Sequence, residues 1–258
     1  MAQPSSEEFN LSSYVMHHVV DSQEWHLPFL PTIHFPEPVS LHVTMMLIAS
    51  FLMFILFILL YNKKSKVPRG LTNCLEVFVL FVRDEICVTG MGEKDGKKMA
   101  PIFCTFFFFI VFQNLIGLIP GFATATGNLG VTFGLASTTL FFMIFMGIYK
   151  NGPIGFIKAF IPHGVPFPIL LILTPVEILS MFVKSAALMI RLCANMLAGH
   201  IVILSLIGTV AILGLPGAPL LLLVLFLYFL EIFIALLQAY IFTLFSAIFI
   251  GQLMHPEH

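Results

Sequence analysis

Long stretches without charge dominate the sequence and limit what it can fold into. A helix needs about 20 mainly apolar residues to cross the ~30 Å hydrocarbon core of a bilayer, and several runs reach that length. Only 10% of the 258 residues are charged, against roughly 25% in soluble domains. So few charges cannot cover a water-exposed surface, which excludes a free cytosolic enzyme and a nucleic-acid-binding protein. The sequence predicts a multi-span membrane protein.

The apolar runs predict an all-α membrane protein with five transmembrane helices, because β-barrel alternation is absent and lipid leaves no backbone group unpaired. The predicted helices cover about residues 43–61, 101–120, 131–149, 166–213 and 220–251. The last two exceed one perpendicular span, so we expect them to be tilted and to form an antiparallel hairpin about the turn at 214–219. A shorter, charged segment at 71–87 is predicted to be an interfacial helix.

Basic residues predict the orientation. Eight of the twelve Lys and Arg side chains lie between positions 63 and 98, and two more follow the third predicted helix. The positive-inside rule makes both regions cytoplasmic. The polar segment 1–42 is then external, the membrane domain covers 43–258, and the C-terminus is cytoplasmic.

The first 62 residues contain no Lys or Arg, which argues against a secretory signal or an Arg-rich transit peptide. We therefore expect a bacterial inner membrane, with the mitochondrial inner membrane as the alternative. His26, His34 and His42 are eight residues apart, which is not a recognised ligand spacing, so a solvated loop is favoured over a metal site. No cofactor is expected.

Charged residues also occur inside the last two apolar runs, where each costs on the order of 2.5–3.5 kcal/mol at mid-membrane. These residues are Glu177, Lys184, Arg191 and Glu231, accompanied by the polar Asn195, His200 and Gln238. A snorkelling or salt-bridged structural set is the alternative interpretation, and we keep it for Lys184. For the others the placement predicts a functional site.

Helix geometry orders these residues. Glu177, Lys184 and Arg191 are seven apart, so each lies only ~20° round the helix from the one before, and Asn195 shares that face. His200 lies on the opposite side, ~13 Å beyond Arg191.

The predicted hairpin then sets the facing residues. With a turn near residue 215, positions whose numbers add up to about 431 lie at equal depth. This rule places His200 against Glu231, Arg191 near Gln238, and Glu177 near His255. The sequence thus predicts an outer, a middle and a cytoplasmic layer of polar groups.

These side chains suit proton transfer. Histidine titrates near neutral pH and a desolvated glutamate can carry a proton, whereas arginine stays charged. A fixed charge between two titratable sites interrupts a direct proton wire. A carboxylate moving past Arg191 would use every group, and it would belong to a partner.

Three stretches of the sequence resemble subunit a of F-type ATP synthases. They are FQNLIGLIPG at 112–121, PVEILSMFVKSAALMIRLCANMLAGH at 175–200 and LEIFIALLQAYIFTLFSAIFI at 230–250. The resemblance covers nearly the whole chain, and these motifs are specific. It implies a stator subunit that lies against a ring of c subunits and conducts protons through two offset half-channels.

The resemblance also implies a role for each polar residue. Arg191 would face the ring carboxylates, with Asn195 and Gln238 as its polar neighbours, Glu177 as the cytoplasmic-side acid, and His200 with Glu231 lining the outer half-channel. The implied partners are the c-ring, the peripheral stalk subunit b, the other synthase subunits and the lipid bilayer. ATP chemistry would occur on those other subunits, since no Gly-rich phosphate loop is present.

Two other functions are alternatives to the stator role. A self-contained ion channel or secondary transporter would need its own carrier acid and usually shows an internal repeat. A membrane subunit of a redox-driven pump would need haem or quinone sites, and His200 alone cannot supply bis-histidine ligation.

Overall fold

The computed structural model describes residues 21–25, 32–36, 39–59, 70–119, 121–161 and 166–256. Some predictions concern other positions. The N-terminal histidines His17, His18 and His26, and the basic residues at 63–69, lie outside the described residues.

Six α-helices account for most of the described chain. They are α1 (Leu41–Phe54), α2 (Leu71–Phe81), α3 (Glu93–Gly117), α4 (Leu129–Lys158), α5 (Phe167–Leu213) and α6 (Ala218–Met254). π-helical turns extend α1 through Ile55–Leu59 and α2 through Val82–Val88, and a short helix follows at Thr89–Met91. Ahead of α1, strands β1 (Glu24–Trp25) and β2 (Ile33–His34) pair antiparallel.

Five helices among the described residues are long and apolar enough to cross a membrane. They correspond to α1, α3, α4, α5 and α6, which confirms the predicted all-α membrane fold. Most boundaries lie within a few residues of the prediction, and two differ by about two helical turns. Helix α3 begins at Glu93 and not at 101, because its charged first turns form helix without being apolar. Helix α4 reaches Lys158 across a kink at Gly152, where φ is 71° just before Pro153.

Helix α3 forms the centre of the helix packing. In its most apolar stretch 61% of the residues are buried, against 17% in α5 and 17% in α6. Its buried residues Phe103, Phe106 and Phe107 belong to the main apolar core. The other helices expose many large apolar side chains, and these suit contact with lipid tails.

The helix predicted at 71–87 is present as α2 and its π-helical extension. Val82, Ile86 and Cys87 are fully buried, and Phe78 stacks on Phe107 of α3 with ring centroids 6.3 Å apart. The segment therefore packs closely against α3. Its interfacial position in a bilayer stays a prediction.

Helices α5 and α6 form the predicted antiparallel hairpin. Gly214 ends α5 with φ of 63°, and the turn Leu215–Gly217 leads directly into α6. A left-handed φ of this kind favours glycine, which has no Cβ. The hairpin brings residues from both helices to the same depth.

Candidate functional site

His200 and Glu231 form the outer layer of the hairpin. His200 Nε2 lies 2.8 Å from the carbonyl oxygen of Gly117 and also contacts the Thr124 hydroxyl group. His200 Nδ1 lies 3.1 Å from Glu231 Oε1. An imidazole nitrogen donates when it carries a hydrogen and accepts when it does not, so His200 can form hydrogen bonds on both sides of its ring. His200 thus links Gly117 and Thr124 to Glu231 on α6.

Two glycines provide the space for this pair. A Cβ on Gly199 would lie 2.3 Å from Glu231 Oε1, so any larger residue would displace the carboxyl group from this position. A Cβ on Gly117 would meet the Thr124 hydroxyl oxygen at 2.3 Å, and that hydroxyl also contacts His200 Nε2. The loop after α3 thus reaches the histidine through the space that Gly117 leaves.

Arg191 lies in the middle layer. Its guanidinium carbon is 5.0 Å from the centre of the Phe245 ring, and Arg191 forms no hydrogen bond or ion pair with the described residues. On the same helix, Asn195 Nδ2 donates to Gln238 Oε1 at 2.9 Å. Arg191, Asn195, Gln238 and Glu231 line one cavity of about 380 Å³.

Glu177 lies in the layer that the sequence predicts to be cytoplasmic. It lines a second cavity of about 580 Å³ together with Lys184 and His255. Lys184 Nζ donates to Gln252 Oε1 at 3.1 Å and lies 5.4 Å from the centre of the Phe249 ring. Residues 185–190 separate the two cavities along α5, which corresponds to roughly 10 Å of helix between Lys184 and Arg191.

A cluster of charged and polar side chains joins α3, α4 and the end of α6 beside this second cavity. Asp95 of α3 forms an ion pair with Lys150 of α4. His255, just after α6, lies 2.9 Å from Asp95 Oδ2 and 2.7 Å from Lys150 Nζ through its Nε2 atom. The cluster fixes the end of α6 where His255 lines the cavity.

The predicted layers are found in the structure. His200 contacts Glu231 directly, Arg191 and Gln238 line one cavity, and Glu177 and His255 line another. The structure does not bring Glu177 into contact with the other predicted site residues among those described. The functional roles of these side chains stay predictions.

Other polar groups near the outer pair were not singled out from the sequence. Asn114 is fully buried; its Nδ2 donates to the Ala235 carbonyl at 3.2 Å, and its Oδ1 accepts from Thr126 at 2.7 Å. Asn114 and Gly117 belong to the FQNLIGLIPG stretch, so the resemblance marked this region without giving these residues a role. Thr124, Thr126 and Phe245 carried no comparable signal.

Metal-ligating side chains do not gather in the described part of the chain. No group of three or more His, Cys, Asp or Glu residues there could hold an ion.

Comparison with known proteins gives a consistent match. The family described as "ATP synthase A chain" matches residues 43–251. ATP synthase subunit a of Myxococcus xanthus (strain DK1622) is 39% identical over 274 residues, covering 97% of this chain and 89% of the relative. That of Chloroherpeton thalassium (strain ATCC 35110 / GB-78) is 39% identical over 259 residues, covering 94% and 77%.

A third relative is longer than this chain. ATP synthase subunit a of Anaeromyxobacter dehalogenans (strain 2CP-C) is 47% identical over 218 residues, which cover 81% of this chain and 56% of the relative. The chain thus spans little more than half the length of this relative. The matched region includes all five apolar helices apart from the start of α1 and the end of α6. This multi-pass membrane chain belongs to the ATP synthase A chain family.

Proposed function

We propose that this chain is the proton-translocating stator subunit of a rotary F-type ATP synthase. It provides two offset half-channels to and from carboxylates on a ring of c subunits, with Arg191 between them. The observation that carries the proposal is Arg191 itself, a cation without an ion-pair partner among the described residues, which lines one cavity at the end that is nearer, along α5, to the second cavity.

The outer half-channel ends at His200 and Glu231. His200 Nδ1 and Glu231 Oε1 are 3.1 Å apart, so a proton that enters from outside can pass between the imidazole and the carboxylate. Glu231 lines the same cavity as Arg191, so the proton would reach the ring carboxylate there. The neutral carboxyl group can then rotate through lipid at a much lower cost than the charged form.

Arg191 acts as the fixed charge between the half-channels. A guanidinium keeps its proton in proteins, so protons cannot pass through it. Its charge favours the ionised form of an approaching carboxyl group and therefore promotes proton release. A membrane potential of 100 mV supplies about 2.3 kcal/mol for each elementary charge moved.

Glu177 receives the released proton on the cytoplasmic side, where its cavity also contains His255. In this proposal protons move from outside to the cytoplasm, with the N-terminus outside and the C-terminus inside a bacterial inner membrane. The partners are the c-ring, the peripheral stalk subunit b and the remaining synthase subunits. ATP formation takes place on those subunits, and this chain is not an enzyme on its own.

A self-contained channel or secondary transporter is the alternative function. Such a protein would carry ions through its own groups. The separation of the two cavities and the fixed charge of Arg191 at the end of one of them oppose a continuous path. Reconstitution of the purified chain alone distinguishes the two functions, because only a channel or transporter would conduct ions in liposomes without other subunits.

The central test is the Arg191→Ala variant in the complete synthase. We expect ATP synthesis and ATP-driven proton pumping to be abolished in inverted membrane vesicles, while the assembled complex is still recovered. Arg83→Ala is the matched control, because Arg83 is an exposed residue that pairs with its neighbour Asp84 at 2.8 Å. Normal pumping by Arg191→Ala would overturn the role of Arg191.

A further inference from the structure

We propose that Phe245 is a positioning residue that holds Arg191 through its aromatic face. This inference deepens the proposed function and rests on it. It identifies how a cation is kept in place in a membrane helix pair without being neutralised.

Arg191 has to meet two conflicting requirements. An isolated cation among apolar residues is costly, and an acidic partner would normally reduce that cost. An acid bound to Arg191 would, however, occupy the donors and offset the charge that a ring carboxylate is meant to meet. The residue therefore needs an attraction that leaves both its charge and its N–H donors available.

The Phe245 ring supplies such an attraction. The guanidinium carbon lies 5.0 Å from the ring centre, within the ~6 Å range of a cation–π interaction. The negative face of the ring attracts the cation without accepting a strong hydrogen bond. This attraction is stronger in a desolvated site than at an exposed one.

The neighbouring side chains do not provide an alternative anchor. Gln238 Oε1 already accepts a hydrogen bond from Asn195. Glu231 lines the same cavity; its Oε1 contacts His200 and its Oε2 has no hydrogen-bond partner in the described part of the chain, but neither oxygen forms an ion pair with Arg191. Among the described residues, the Phe245 face is thus the attraction that the structure shows for the Arg191 guanidinium.

A second ring extends the same arrangement towards the cytoplasm. Phe245 and Phe249 lie parallel, with ring centroids 5.6 Å apart and an interplanar angle of 21°. Lys184 lies over Phe249 as Arg191 lies over Phe245. Packing against Phe249 limits the movement of the Phe245 ring and so fixes the position of the guanidinium.

The test compares variants of Phe245 within the complete synthase. Phe245→Leu removes the aromatic face with a modest loss of volume, whereas Phe245→Tyr retains it. Phe141→Leu makes the same exchange at a residue on α4 that is 60% exposed and serves as the matched control. Fluorinated phenylalanines incorporated at position 245 weaken the negative face stepwise while nearly preserving ring shape.

We expect Phe245→Leu to lower the coupled proton-pumping rate by about tenfold, a change between those for an exposed and a fully desolvated cation–π contact, because Arg191 is half-buried. Phe245→Tyr and Phe141→Leu should keep most of the rate, and each added fluorine should lower it further. A role in packing alone would be insensitive to fluorination. A flat response to fluorination, or equal rates for the Leu and Tyr variants, would overturn the inference.

The two proposals fail in different ways. If Arg191→Ala still pumps protons, the proposed function itself is wrong. If Arg191→Ala abolishes pumping but fluorination at position 245 has no effect, only the role of Phe245 is wrong.

Discussion

Replacing Gly199 with alanine puts a methyl group where the Glu231 carboxyl group lies. The added Cβ would be 2.3 Å from Oε1 and 2.8 Å from Cδ. Ordinary van der Waals contact begins near 3.4 Å, so the carboxyl oxygen has to move by about 1 Å. Because Oε1 is the atom that faces His200 Nδ1 at 3.1 Å, this movement disturbs the hydrogen bond between the two side chains.

The magnitude follows from two opposing effects. Losing a hydrogen bond that involves a charged group costs roughly 1.5–3 kcal/mol. Alanine favours a helix over glycine by up to about 1 kcal/mol. The local hydrogen bond should therefore be disrupted while α5 itself remains helical. We expect the proton-pumping rate to fall by at least tenfold without loss of the assembled complex.

The assay is ATP-driven acidification of inverted vesicles, with the amount of assembled complex measured in parallel. Gly134→Ala is the matched control, because a Cβ there has no atom within 4 Å. Glu231→Asp shortens the acid by one methylene group, so combining it with Gly199→Ala should relieve the overlap. The double variant should pump faster than the additive effect of the two single changes predicts.

Two results would refute this reasoning. One is an unchanged pumping rate in Gly199→Ala, because the methyl group would then fit without displacing the carboxyl group. The other is a purely additive double variant, because the two residues would then not compete for the same space.

Two further predictions concern other parts of the chain. Burial raises the pKa of the Cys87 thiol to about 12, whereas Cys74 is exposed. N-ethylmaleimide at pH 8 should therefore label Cys74 and leave Cys87 unmodified until the pH approaches that pKa or the chain is unfolded. Equal labelling of single-cysteine variants would contradict the packing of Cys87. Asn114→Ala removes hydrogen bonds to Thr126 and Ala235. It should lower the free energy of unfolding in detergent by about 1 kcal/mol. An unchanged free energy of unfolding would show that these contacts add no stability.

The helix count and the hairpin register follow from the sequence because both depend on regular helix geometry. Apolar runs of sufficient length give the spans, and a common rise per residue on two antiparallel helices sets His200 against Glu231. The structure confirms that contact. The start of α3 at Glu93 was missed, because hydropathy reports the apolar part of a helix and not its charged first turns.

Contacts made by loops and ring faces were not predictable in the same way. Thr124 lies in the segment between α3 and α4, and no sequence periodicity specifies where such a segment packs. Phe245 is one of 29 phenylalanines, and nothing in the sequence distinguishes it from the others. Only the packed structure distinguishes the ring that lies under Arg191.

The sparse burial of α5 and α6 has a consequence for the biogenesis of this chain. Only 17% of the residues in the most apolar stretch of each helix are buried within this chain, and Arg191 on α5 is only partly buried. In the proposed complex, a newly inserted copy would therefore expose a cation to lipid until other subunits cover the hairpin, at a cost on the order of 2.5–3.5 kcal/mol. An orphan copy should be the preferred target of membrane proteases, so its lifetime should depend on the order in which the subunits assemble.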